Sequence, residues 1–247
     1  MAIYRTRALV LRTRNFGEAD RVLVLFSEDY GKFEAVVKGA RRQRSRFIGN
    51  TLAFNFIKAM LLTGKSLDTL SQAELVHSFS QFREDLTKLA YASYWVELID
   101  GFIPERQEAN EIFRFLLASF IVLEKTPDPA VLNMAFELRL LDYLGYQPQI
   151  ANCVGCGKPF QHDMAFSAQA GGAVCTGCSL KYRDAVPVVE ADLQILERFR
   201  GIDLRKLDQL TLGPAQSRLI QKILRGFIEA RLDRPLKSQV FLDNLSV

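Results

Sequence analysis

The sequence predicts an α+β protein: an N-terminal barrel of short strands, then a helical bundle interrupted by a cysteine-rich insertion. Three observations predict it. Residues 1–77 read as five β-rich runs separated by turn residues. From about residue 78, apolar positions recur at helical spacing instead of alternating. All 4 cysteines lie between residues 153 and 178, as two C-x-x-C pairs. Hydrophobic residues make up 49% of the chain, enough for a substantial core, and the 24% charged fraction is that of an ordinary soluble protein.

The strands come first. "YRTRALVLRTR" (4–14) mixes polar alternation with an apolar centre, and "RVLVLFS" (21–27) is dense in β-branched and aromatic residues. "EDYG" (28–31) turns the chain into "KFEAVVKGA" (32–40), the return strand of a hairpin. "TLAFNFIKAMLLTG" (51–64) and "LDTLSQAEL" (67–75) supply two more. Five short strands in about 75 residues suit a five-stranded OB-fold barrel, with a small SH3-like barrel as the alternative.

The helices follow. "FREDLTKLAYASYWVELIDGFI" (82–103) has Leu86, Leu89, Ala90, Val96, Ile99 and Phe102 at helical spacing and is ended by Pro104. "EANEIFRFLLASFIVLEK" (108–125) is apolar nearly all round its centre and is expected in the middle of the bundle. In "DPAVLNMAFELRLLDYLG" (128–145), Asp128 is placed to cap, Pro129 to occupy the first helical position, and Gly145 to end the helix. Helices resume at 190–200 and 213–233. In the second, Arg218, Lys222, Arg225 and Glu229 share one stripe opposite an apolar face expected to pack on the bundle. The expected divisions are an OB-fold over 1–77, a helical domain over 78–150 and 185–247, and a zinc-ribbon-like insertion over 151–184.

Charge is unevenly spread. Residues 1–65 hold 13 Lys and Arg against 5 Asp and Glu, whereas residues 66–150 hold 6 against 13. A basic front region points to a polyanionic partner. Its focus is "VVKGARRQRSRFIG" (36–49), which places Lys38, Arg41, Arg42, Arg44 and Arg46 within nine positions. Arginines so spaced can contact successive phosphates with little sequence preference. Phe47, or an exposed aromatic of a barrel strand, is a candidate to stack on an unpaired base. Arg5, Arg7, Arg12, Arg14 and Arg21 add positive charge to the same domain.

Cys153, Cys156, Cys175 and Cys178 have the spacing of a four-cysteine zinc site. Four thiolates fill a tetrahedral shell and leave no place for water or substrate, so the site is expected to be structural. A redox C-x-x-C leaves the second pair unexplained, and disulfides conflict with the expected reducing cytoplasm. His162 lies between the pairs as a weaker candidate ligand. No catalytic residue is expected: His77 and His162 are the only histidines, and no phosphate loop, nucleotide fingerprint or nucleophile elbow is present. Neither a secretory signal nor an apolar run long enough to cross a bilayer is seen, so no membrane partner is expected.

"LRTRNFGEADRVLVLFSEDYGK" (11–32) followed by "VVKGARR" (36–42) resembles the N-terminal signature of the RecO DNA repair and recombination mediator family. "LLDYLGYQPQIANCVGCGK" and "RPLKSQVFLDNL" (234–245) are similar to that family too, and the resemblance spans essentially the whole chain. It implies an OB-fold joined to a helical domain with an inserted zinc module. It implies binding of single- and double-stranded DNA, annealing of complementary strands, and action with RecR to load RecA onto strands coated by single-stranded DNA-binding protein. The location implied is the cytoplasm, with the nucleoid. The implied DNA contacts fall on Lys38, Arg41 and Arg42; Arg44 and Arg46 are added by charge. Members of the family also receive the acidic tail of single-stranded DNA-binding protein on the helical domain, for which Arg139 is a weak candidate. Some relatives lack the cysteines, so zinc is not what the shared activity requires. The competing reading is a zinc-ribbon protein-interaction module without direct DNA activity, its basic loop merely solubilising.

Overall fold

The computed structural model describes residues 2–160, 163–210, 212–232 and 234–245. The chain forms two compact units, one of residues up to Lys125 together with those from Leu236 onward, the other of Thr126–Pro235. The architecture is the predicted α+β type.

In the first unit, β1 (Ile3–Phe16), β2 (Asp20–Ser27), β3 (Gly31–Val37), β4 (Phe56–Leu62) and β5 (Asp68–His77) close a barrel in the order β1-β2-β3-β5-β4. Every neighbouring pair is antiparallel except β3 and β5, which run parallel at Ala35–Asp68 and Val36–Thr69 and so close the barrel. β1 serves two neighbours because a bulge between Val10 and Arg12 bends it; residues 3–9 pair with β4 and residues 8–16 with β2. Ala8, Val10, Leu23, Leu25, Phe33, Ala35, Ile57 and Leu61 fill the interior. Phe26, on the other face of β2, is also buried, its ring 5.7 Å from that of Phe113. A strand covered on both faces needs apolar residues throughout, which is why "RVLVLFS" does not alternate.

The closure is held by a buried carboxylate. Asp68, fully shielded at the start of β5, accepts hydrogen bonds from the Tyr4 hydroxyl, the Gly64 amide at 3.0 Å and the Arg106 guanidinium at 2.9 Å. Burial works against its charge, but these donors outweigh it and hold the carboxyl below its ordinary value.

Three expectations are corrected. The segment 51–64 becomes a strand only from Phe56, because Phe54 takes a left-handed φ of 70° and its amide bonds the Val10 carbonyl at 2.7 Å. The Phe54 ring is thereby set against Phe82 and Phe120, at 5.8 and 6.0 Å. The helix expected over 82–103 is two, α1 (Gln81–Glu84) and α2 (Leu86–Phe102). Asp85 between them is extended and caps α2, its carboxylate accepting from the amides of Thr87 and Lys88. The helix α3 (Asn110–Lys125) is not central: Ile112, Phe113, Leu116, Phe120 and Leu123 are buried, while Arg114 and Ile121 are exposed.

The helix buried all round is α4 (Pro129–Tyr143), in the second unit, where every residue from Val131 to Leu138 is buried. Asp128 caps it through the amides of Ala130 and Val131, Pro129 is its first residue, and Gly145 follows at φ 78°, as the sequence predicts. A small sheet of β6 (Met164–Ser167), β7 (Gly172–Cys175) and β8 (Val186–Val188) runs in the order β7-β6-β8, and the one-turn helix α5 (Thr176–Ser179) follows β7. The helices α6 (Glu190–Gly201) and α7 (Pro214–Glu229) then pack on α4, as expected of α7. From α7, Ile220, Ile223, Leu224 and Phe227 are buried, while Arg218 and Lys222 are exposed.

A helix not foreseen from the sequence, α8 (Lys237–Leu245), returns to the first unit and lies against α2. Its start is capped from α2: the Glu97 carboxylate accepts from the amides of Lys237 and Ser238, at 3.0 and 2.8 Å. No helix among the described residues is long and apolar enough to cross a membrane.

Candidate nucleic-acid surface and metal centre

The basic loop leaves the barrel at the end of β3. Gly39, at φ 65°, turns the chain. A series of tight turns follows, with Arg42 N to Gly39 O at 3.2 Å, Ser45 N to Arg42 O at 2.9 Å and Thr51 N to Phe47 O at 3.1 Å. Ala40 and Phe47 are both buried in the barrel interior and anchor the loop at two points. Phe47 is only 7% exposed and has no face to offer a base, which removes it from the candidates for stacking.

The five cations of the loop all face solvent: Lys38, just before the Ala40 anchor, and Arg41, Arg42, Arg44 and Arg46, between the anchors, are exposed. Arg41 donates to the Gly17 carbonyl at 3.3 Å, and Arg46 donates to the Ser71 carbonyl at 2.7 Å, with its guanidinium 5.1 Å from the Phe47 ring centroid. These neutral partners orient the side chains and leave their charge uncancelled. Among the described residues, none of the five pairs with a carboxylate within 4.0 Å.

Other basic residues of the barrel differ. Arg7 pairs with Glu28, Arg12 with Asp100 at 2.6 Å and Arg14 with Glu34 at 2.8 Å. Arg5, Arg7, Arg46 and Lys58 line a cleft of about 780 Å³ on the barrel face, together with Asn50, Gln72, Asp29 and Glu74. The residues missed by the sequence reading are those that brace the loop. Gly39 N bonds the Asp20 carboxylate at 2.8 Å, and Arg41 N bonds the Ala19 carbonyl at 2.9 Å. "GEAD" is legible as a hairpin turn, but its contact with a loop twenty residues on carries no local signal.

In the second unit, the Sγ atoms of Cys153, Cys156, Cys175 and Cys178 lie within 4.8 Å of one another, close enough to hold a metal ion. Cys156 and Cys175 approach to 4.0 Å. Tetrahedral zinc with bonds of about 2.3 Å places its sulfurs about 3.8 Å apart, so the donor set fits. Backbone geometry explains the fit. Gly157 at φ 74° closes the first C-x-x-C turn, its amide bonding the Cys153 carbonyl at 2.7 Å. A Cβ on Gly155 would lie 2.9 Å from the Cys178 sulfur, so this position requires glycine. Cys175 ends β7, and Cys178 sits in α5.

The Cys175 amide donates to the Cys153 sulfur at 3.2 Å. Burial opposes ionisation of Cys153, but amide donors, that of Cys175 foremost, outweigh it and lower the thiol to about 6. Cys153 and Cys178 join Ala165 and Val174 in a small core of their own. His162 lies outside the described residues. His77 bonds Glu124 at 3.1 Å. Arg139, half-buried on α4, donates to the Ile202 carbonyl at 3.2 Å.

Comparison with known proteins agrees across the chain. Residues 1–79 match the family described as "Recombination protein O N terminal", and residues 83–239 match "Recombination protein O C terminal". The chain is similar to the "DNA repair protein RecO" of Symbiobacterium thermophilum, at 41% identity over 99% of this chain and 98% of that one. It is also similar to proteins of the same name from Pelotomaculum thermopropionicum (36% identity; 98% and 94% covered) and a Thermoanaerobacter species (33%; 99% of each). With an OB-type barrel, a helical second unit and both family matches lying end to end, the chain belongs to the recombination protein O family of DNA repair proteins.

Proposed function

We propose that this chain is a non-enzymatic DNA-binding and strand-annealing protein of recombinational repair. It assists RecR in loading RecA onto single-stranded DNA coated by single-stranded DNA-binding protein, whose acidic tail it receives on the helical part. It works in the cytoplasm, on the nucleoid. The observation that carries the reading is the braced loop with five exposed cations and no carboxylate partner among the described residues. Residues 1–77 hold the DNA, through Lys38, Arg41, Arg42, Arg44 and Arg46.

Mechanistically, strands approaching one another repel through their phosphates. A rigid cationic loop releases their counterions and lowers that repulsion, leaving base pairing to supply the favourable free energy. Two anchors in the barrel core fix the loop in place, so little ordering entropy is lost on binding. Cys153, Cys156, Cys175 and Cys178 would hold a structural zinc ion, which cross-links the two ends of the insertion. Residues 151–184 thereby keep the helical segments on either side in register.

The test is annealing of complementary oligonucleotides precoated with their single-stranded DNA-binding protein, without ATP. Annealing by the native protein, lost on the combined change Lys38→Ala, Arg41→Ala and Arg42→Ala in a folded variant, is expected. Equal annealing by both proteins would refute the role of the loop. No annealing by the native protein at low salt would favour the zinc-ribbon interaction module instead.

A further inference from the structure

An aromatic side chain stands exposed beside the basic loop. Phe16 ends β1 and is 47% exposed. The turn after it is tied to the loop by three hydrogen bonds: Arg41 Nη1 to Gly17 O at 3.3 Å, Arg41 N to Ala19 O at 2.9 Å and Gly39 N to Asp20 Oδ1 at 2.8 Å. Phe16 pairs across the hairpin with Asp20, so the residue that carries the ring and the residue that holds the loop face each other in the ladder. The ring is therefore mounted on a fixed support, next to cations whose charge is uncancelled.

A single exposed apolar residue is ordinary and by itself means little. Two comparisons set Phe16 apart. Phe47, the aromatic inside the loop, is buried, and Tyr30, 39% exposed, already packs on Tyr4 with ring centroids 4.6 Å apart. In addition, the turn between the first two strands is one of the loops with which OB barrels hold oligonucleotides.

We propose, building on the DNA-binding reading above, that Phe16 is a stacking platform for one unpaired base of a strand whose phosphates lie on Lys38, Arg41 and Arg42. Stacking acts through the face of a base and is tolerant of sequence. A base inside a duplex offers no free face, whereas its phosphates remain available to the cations. The pair of elements thus distinguishes single strands from duplex, although neither the ring nor the cations read sequence. During annealing the same distinction lets the product go: a base that pairs leaves the ring, and only the phosphate contacts remain.

The test is equilibrium binding of an oligothymidylate and of a duplex to the native chain, to Phe16→Ala and to Phe16→Trp, each over a range of salt. Phe16→Ala is expected to weaken single-strand binding roughly 5- to 100-fold, as loss of one base–aromatic stack does. The salt slope should stay unchanged, because no phosphate contact is lost, and duplex binding should stay within about twofold. Phe16→Trp should restore single-strand affinity. Thermal unfolding of each variant checks that an exposed position has not altered the fold. Native single-strand affinity in Phe16→Ala, or equal weakening toward duplex, would overturn the stacking role while leaving the basic loop's role intact. If the native chain bound neither probe, the DNA-binding reading itself would fall, and the stacking role with it.

Discussion

Replacing Lys38, Arg42 and Arg44 together by alanine removes three charges that no carboxylate cancels among the described residues, and that make no hydrogen bond holding the loop. Each phosphate neutralised contributes about 0.7 to the log–log salt slope on single strands and about 0.9 on duplex. Three such contacts amount to about 2 on single strands and nearly 3 on duplex. If the electrostatic gain vanishes near 1 M salt, the variant should bind single strands roughly 100-fold more weakly at about 0.1 M. Fluorescence-anisotropy titrations over a salt series give the slope directly. The control is Arg14→Ala, which also removes a positive charge from the barrel, but one already paired with Glu34 at 2.8 Å. Its slope should change by less than about 0.5. A triple variant with native slope, or a control that loses as much per charge, would refute the idea that unpaired loop cations carry the binding.

Other outcomes follow from the two units. Cys153→Ser should release the zinc measured in a chelator assay and lower the melting temperature, with the DNA salt slope unchanged; full stability without zinc would contradict a structural role. Gly155→Ala should weaken zinc binding by about tenfold or more, because its Cβ would meet the Cys178 sulfur at 2.9 Å, whereas Gly177→Ala, with nothing within 4 Å, should not. Asp68→Ala strands the Tyr4 hydroxyl and the Gly64 amide at the barrel closure, which costs about 3 kcal/mol, or roughly 10 °C in the melting of the first unit. Because the folded-state carboxyl of Asp68 lies below its unfolded value, its contribution is complete above about pH 4 and is lost as pH falls through the folded value. The difference in stability between the native chain and Asp68→Asn should therefore narrow on acidification below pH 4, which urea titrations at several pH values would show.

What was legible in the sequence was mostly local. Asp128, Pro129 and Gly145 mark the ends of α4 because capping depends on residues within one turn. The two C-x-x-C pairs are legible for the same reason: each is a local turn, the first held by Gly155 and Gly157, the second by the start of α5. What required the fold was partnership over distance. The break at Asp85 sits inside a periodic apolar pattern, and only the cap geometry reveals it. Phe54 reads as one more strand residue, yet its left-handed backbone is stabilised by rings from α1 and α3. The apolar α3 segment was expected to be central, but one of its sides faces solvent; α4 is buried all round instead, and its Asn133 and Glu137 are accommodated by a hydrogen bond to each other at 2.9 Å. In the basic loop, composition pointed to the five cations, whereas the bracing by Asp20 and Ala19 depends on tertiary contact.

The cap that Glu97 places on α8 has a consequence for synthesis. On the ribosome, the barrel and α2 emerge first, then the whole of residues 126–235, and only then the helix that covers α2. Until α8 is complete, the side of α2 on which it lies is uncovered; Leu236 and Leu242 are both buried in the finished fold. A product cut short after residue 235 would contain both the basic loop and the cysteine cluster, yet would display that open side to proteases and chaperones. The first unit can therefore be completed only after the whole of the second has been synthesised, because its last helix follows residues 126–235 in the chain.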